Sequence, residues 1–183
     1  MIPLRLSVPL LAMLLSILYC SPYRAMVVRG CCMTPTLRDG QVCLVDRTAY
    51  RSHSPQRGDV VVAPLGGTLC VKRVYAVGGD SFWMLRPSRP DGFVPIVLGA
   101  SADPGWETLA QRSPERYRLC RETVPLGHVL LIGDNMPSSI DGRELGATPE
   151  GRVLGQVMVP PRTQAPLART APPAPLLCRH PDL

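Results

Sequence analysis

Seven short runs rich in Val, Ile and Leu follow one another along the chain: "AMVVRG", "QVCLVD", "DVVVAP", "LCVKRVYAV", "GFVPIVL", "HVLLIG" and "VLGQVMV". Each is bounded by Gly, Pro, Asp or Asn. Apolar runs this short, rich in β-branched residues and separated by breakers, are strands and not helices. With 21 prolines and 16 glycines in 183 residues, long helices have no room, and the prediction is a mainly β protein: a β-sheet or barrel domain around one core. Gly78-Gly79-Asp80 and Gly133-Asp134-Asn135 close two of the runs with loop chemistry, glycine accepting positive φ and Asp or Asn bonding the nearby backbone.

The flanks are different in kind. Leu6–Tyr23, "LSVPLLAMLLSILYCSPY", has no charged residue and is about long enough to cross a bilayer once, between Arg5 and Arg24. Residues 1–24 are therefore expected to form an N-terminal transmembrane anchor; a cleaved signal peptide is the alternative that the same residues allow. Residues 25–159 are expected to form the β-rich domain, with residues 83–121 an insertion on its core. Within that insertion "WETLAQR" has room for at most two helical turns. From Pro160 the chain is Pro, Ala and Arg without apolar period, which predicts a disordered tail over 160–183.

The formal charge is +6, but the basic residues are scattered with no basic stripe and no interleaved aromatics, so nucleic acid is not an expected partner. Anionic membrane lipid suits that charge better. Of the 20 basic residues all but Lys72 are arginine, which marks Lys72 as a position where arginine will not serve. The seven cysteines, Cys31 and Cys32 adjacent among them, have neither CxxC spacing nor a Cys/His cluster. Neither a metal site nor a cofactor is expected. His128, beside Gly127 at the head of a strand, is a possible base for a Cys-His pair, though its position reads better as a strand entry.

Three segments in order, "GCCMTPTLRDG", "VKRVYAVGGD" and "GDNMPSSIDGRELG", resemble the membrane-bound signal peptidases of the type I family, including the small mitochondrial inner-membrane type. The resemblance spans about Val27–Val159 and implies that family's β-sheet fold behind one membrane helix. It implies a nucleophile at Cys32, immediately before Met-x-Pro-Thr, where the family usually has serine, and a general base at Lys72. Ser139 matches the serine that bonds the lysine amine. Asp141 and Arg143 match the pair that braces the loop, and Asp134 belongs to the same motif. The Cys32 N–H takes the part of an oxyanion donor. Val28, Gly30, Met33 and Pro35 fall at substrate-binding positions, Gly30 standing where some members have a second hydroxyl donor.

A serine hydroxyl needs a strong base, which the family obtains from a desolvated lysine. A thiol starts near a pKa of about 8.5 and is the better nucleophile, so cysteine in the same place still serves acyl transfer. The implied protein is a monomeric, single-pass endopeptidase of the cell's inner membrane, its catalytic domain outside the cytoplasm. Its partners are membrane lipid and signal-peptide-bearing preproteins with small residues before the cut. An extended peptide is expected to add as a strand beside "AMVVRG" and "DVVVAP". Two other readings stay open: a specialised pilin- or conjugation-type maturation peptidase, and a degenerate relative that binds peptides without cutting.

Overall fold

The computed structural model describes residues 21–88, 94–99 and 101–159; most of the expected anchor and all of the expected tail lie outside them. The described residues form a mainly β fold of two antiparallel sheets. The strands are β1 (Tyr23–Val27), β2 (Val42–Asp46), β3 (Val60–Leu65), β4 (Thr68–Val77), β5 (Ser81–Pro87), β6 (Ile96–Leu98), β7 (Tyr117–Thr123), β8 (His128–Ile132), β9 (Thr148–Pro149) and β10 (Gly155–Met158). The larger sheet runs β1-β2-β10-β3-β4-β8-β9 and the smaller β6-β5-β7. β1 begins at Tyr23, so the last residue of the uncharged stretch is already strand.

Side-chain alternation explains which strand sits where. β2 turns Cys43 and Val45 inward and Val42 and Leu44 outward, as a strand with one covered face should. In β3, Val60, Val61, Val62 and Ala63 are all buried, because β10 and β4 flank it and both of its faces are covered. One face packs Val60 and Val62 with Val28, Met33, Leu37 and Val45. The opposite face packs Val61, Ala63 and Leu65 with Val74, Val129 and Leu131. A third cluster, including Tyr75, Phe82, Met84, Leu130 and Ile132, joins the two sheets.

The described residues of 83–121 form more regular structure than their sequence suggests. β5 and β7 pair along their whole length from Ser81↔Thr123 to Pro87↔Tyr117. Their arginines conceal the strand pattern, because β7 is largely solvent-facing and cross-strand partners make use of the charge: the Arg121 guanidinium lies 5.7 Å from the Trp83 ring centroid. The helix α1 (Pro104–Arg112) is a little longer than two turns. It starts on proline and is capped by Asp103, whose carboxylate accepts from Gly105 N at 2.8 Å.

β4 organises the rest. It pairs with β3 from Thr68 to Arg73 and with β8 from Arg73 to Val77. At Ile132 β8 ends and the chain leaves the sheet as the Gly133–Ser139 loop. Among the described residues, the β8-side edge of Thr68–Val71 is therefore without a strand partner.

Candidate active site

Successive residues of a strand point to opposite faces, and at the middle of β4 this separates Lys72 from Arg73. Lys72 is 2% exposed. Its Nζ donates to Ser139 Oγ at 2.8 Å, and the Ser139 hydroxyl donates onward to Asp141 Oδ2 at 2.7 Å. The same carboxylate oxygen accepts from Gly133 N at 3.0 Å. Asp141 also caps the short helix α2 (Gly142–Leu145), accepting from Arg143 N, while Glu144 bonds back to the Asp141 N–H. This reciprocal capping box fixes the Ser139–Asp141 turn.

Arg143 holds the turn from below. It is 1% exposed and donates to Asp141 Oδ1 at 2.8 Å and Oδ2 at 3.0 Å. Its remaining donors reach the carbonyls of Val94, Met136 and Ser139 at 3.0, 2.7 and 3.1 Å. A planar fork with five N–H groups can satisfy that many acceptors; an ammonium cannot.

On the other face of β4, Arg73 donates to Asp134 Oδ1 and Oδ2, both at 2.7 Å, and to Gly58 O at 2.6 Å. Asp134 also accepts from Thr36 Oγ1. The loop carrying Cys32 is thereby tied to β4 and to the Gly133–Ser139 loop through one carboxylate. That loop closes on itself, Val28 N donating to Gln41 O and Gly40 N to Val28 O, each at 2.9 Å. Met33 and Leu37, both fully buried, anchor it in the core. Cys32 is half-buried, and its thiol lies 3.9 Å from Val71 O beside the open edge of β4.

Gly133 is where these pieces meet. A β-carbon there would stand 2.6 Å from the Cys32 carbonyl oxygen and closer still to Ser139 Oγ. Only glycine lets the Cys32 loop and the Ser139 turn approach one another so closely.

The structure thus brings Cys32, Lys72, Asp134, Ser139, Asp141 and Arg143 together at one end of β8. Gly30 and Pro35 are exposed on the Cys32 loop, whereas Val28 and Met33 belong to the core beneath it. The expected docking of a peptide beside "DVVVAP" does not hold, since β3 is interior to the sheet; β1, which carries the start of "AMVVRG", is an edge strand, and Thr68–Val71 of β4 presents a further open edge. His128 starts β8 and Gly133 follows its end, roughly 16 Å away at strand rise, which leaves no Cys32–His128 pair. Cys70 precedes Lys72 by two residues on the same face of β4. Burial pushes its thiol pKa up, the Lys72 charge opposes this and Cys32 adds to it.

Arg73 and Thr36 escaped the sequence reading, and Asn135 was read there only as a loop former. The only signal for Arg73 was its place after Lys72, since strand alternation obliges it to face the other way. Among the described residues no disulfide forms, and no cluster of His, Cys, Asp and Glu has the geometry to hold a metal ion.

The model of the family described as signal peptidase, peptidase S26, matches residues 2–89 and 98–161. A probable signal peptidase I-1 of Synechocystis sp. is 28% identical over 159 residues, covering 86% of this chain and 79% of its own. A mitochondrial ATP-independent inner membrane protease subunit 1b of Arabidopsis thaliana is 31% identical over 134 residues, 70% of this chain and 64% of its own. The chain thus spans a little under two thirds of that mitochondrial relative. A crystal structure of a signal peptidase I from Enterococcus faecalis is similar at 23% identity, covering 57% of this chain and 97% of that one, with a TM-score of 0.37. The assignment rests on the family match, which takes in most of the chain and all three motifs: the chain belongs to the signal peptidase family, peptidase S26, and within it to the signal peptidase I type.

Proposed function

We propose that the protein is a membrane-anchored endopeptidase that removes signal peptides from exported proteins, with Cys32 as nucleophile and Lys72 as general base. The observation that carries this reading is the hydrogen-bonded series Lys72–Ser139–Asp141, buried beside the Cys32 loop where Gly133 lets the two approach. Its single lysine serves as the base because an arginine at that place has no proton to give up at ordinary pH.

In the proposed reaction the preprotein lies extended along the open edge of β4 at Thr68–Val71. Cys32 Sγ adds to the scissile carbonyl carbon while Lys72 takes the thiol proton. The carbonyl oxygen becomes an oxyanion held by the Cys32 N–H. When the tetrahedral adduct collapses, the C–N bond breaks and Lys72 returns the proton to the leaving amine. Water then hydrolyses the thioester with Lys72 again accepting a proton, which restores the thiol and frees the new carboxylate. Ser139 keeps the lysine amine in position throughout. The Arg73–Asp134–Thr36 bridge holds the two loops in register.

Residues 1–24 serve as the anchor in this reading and 25–159 as the catalytic domain, facing away from the cytoplasm of the inner membrane. Among the described residues no helix is long and apolar enough to cross a membrane, and residues 1–20 lie outside them. The test is to incubate the full chain in detergent with a preprotein bearing a small-x-small site. Cleavage after that site is expected, with loss of cleavage in Lys72→Arg at unchanged thermal unfolding. An intact preprotein, or a Lys72→Arg variant of full activity, would overturn the reading.

A further inference from the structure

We propose that Asn135 is a positioning residue for the oxyanion: its side chain holds the Cys31–Cys32 peptide so that the Cys32 N–H faces the reacting carbonyl. The inference deepens the peptidase reading and rests on it. Cys31 C=O and Cys32 N–H belong to one peptide unit, and in a trans peptide the two groups point in opposite directions. Whatever holds the carbonyl therefore aims the N–H.

Two donors hold that carbonyl. Thr34 N donates to Cys31 O at 3.1 Å across the turn, and Asn135 Nδ2 donates to the same oxygen at 3.1 Å from the other loop. The backbone N–H of Asn135 bonds the next carbonyl, Cys32 O, at 2.9 Å. This second bond suffices to dock the two loops. The side-chain bond adds a constraint on one particular peptide plane. A carbonyl that accepts hydrogen bonds also polarises the N–H of its own peptide, which strengthens that group as a donor.

This chain has special need of that donor. Gly30, two residues before Cys32, has no side chain to contribute, and its own N–H is already given to Asp39 Oδ1 at 2.8 Å. Among the described residues the Cys32 N–H has no hydrogen-bond partner, so it is available to an oxyanion. With a single local donor, the direction of that donor carries more of the transition-state stabilisation.

The experiment compares Asn135→Ala and Asn135→Asp with the parent, using the full chain in detergent. Two rates are read: preprotein cleavage, and alkylation of Cys32 by iodoacetamide followed by mass spectrometry. Alkylation displaces iodide from carbon and develops no oxyanion, so it reports thiol placement and the fold alone. Both variants are expected to lose about 10- to 100-fold in kcat, below the full loss of a direct oxyanion donor, with KM and the Cys32 alkylation rate within about twofold of the parent. Asn135→Asp keeps the side-chain shape and guards against a packing defect in the alanine variant. Parental kcat in both variants, or an alkylation rate that falls in step with kcat, would overturn the role of Asn135 while leaving the peptidase reading intact. A parent that alkylates at Cys32 but cuts no preprotein would overturn both.

Discussion

Gly133 and Cys32 touch backbone to backbone: a β-carbon on Gly133 would lie 2.6 Å from the Cys32 carbonyl oxygen. Gly133→Ala therefore has to push the Cys32 loop and the Ser139 turn apart. The cost expected is about 1–3 kcal/mol of stability. Cleavage falls further than stability does, because a displacement near 1 Å at reacting groups costs on the order of a hundredfold in rate. Urea unfolding and cleavage kinetics of the variant check both, and parental kcat would show that the approach is not needed.

The buried Asp141–Arg143 pair predicts a stability effect separate from chemistry. Arg143→Ala strands a carboxylate and three carbonyls and is expected to destabilise by about 3–5 kcal/mol, the usual cost of removing one partner of a buried pair. Arg143→Lys keeps the charge but loses the fork, so it should recover less than half of that. Equilibrium unfolding measures both, and a lysine variant as stable as the parent would contradict the assigned geometry.

Cys32→Ser separates the nucleophile from its neighbours. The Lys72–Ser139–Asp141 series is the arrangement that attack by a hydroxyl requires, so the serine variant is expected to retain cleavage and to ignore iodoacetamide. Cys31→Ala should stay within about threefold of the parent, and Cys32→Ala should be inactive. Two of the other thiols compete less for the reagent: burial pushes Cys43 and Cys70 up, which leaves less thiolate to alkylate. The pH dependence of kcat/KM for parent and serine variant is the measurement. A serine variant below about a hundredth of parental activity would mean a site specialised for a thiol.

Asp80 makes a prediction about acid stability. Arg57 donates to its carboxylate and so does Val77 N at 2.8 Å; the Arg57 bond is the main cause that holds its pKa below the usual carboxylate range, against a smaller effect of burial. A carboxyl depressed in the folded state stabilises the fold above its unfolded pKa of about 3.9, and the stabilisation is lost as pH falls through the folded value. Asp80→Asn is therefore expected to lower thermal stability at pH 7, by up to about 1 kcal/mol because Arg57 is half exposed. The gap should narrow as pH falls below that unfolded value and through the depressed folded one. Melting curves at pH 7, 5 and 3 test the sign, and a gap unchanged at pH 3 would assign the effect to packing.

Much of this protein was legible in its residues. Short β-branched runs between breakers determined a mainly β fold, because strand pairing leaves that periodicity in any sequence. The lone lysine among arginines, the Met-x-Pro-Thr register after Cys32 and the "SSIDGR" turn named the chemical groups, because residue type limits what a side chain can donate, accept or attack. Tertiary structure decided the rest. β5 and β7 were hidden because their outward faces carry arginine and glutamate where alternation would otherwise show. β3 looked like an edge for substrate and proved to be interior, since strand order is set by long-range pairing that no local run records. The roles of Arg73 and Asn135 were not legible, as their partners are 61 residues away at Asp134 and 104 residues away at Cys31. Contacts at such separations exist only once β4 and β8 have placed the two loops side by side.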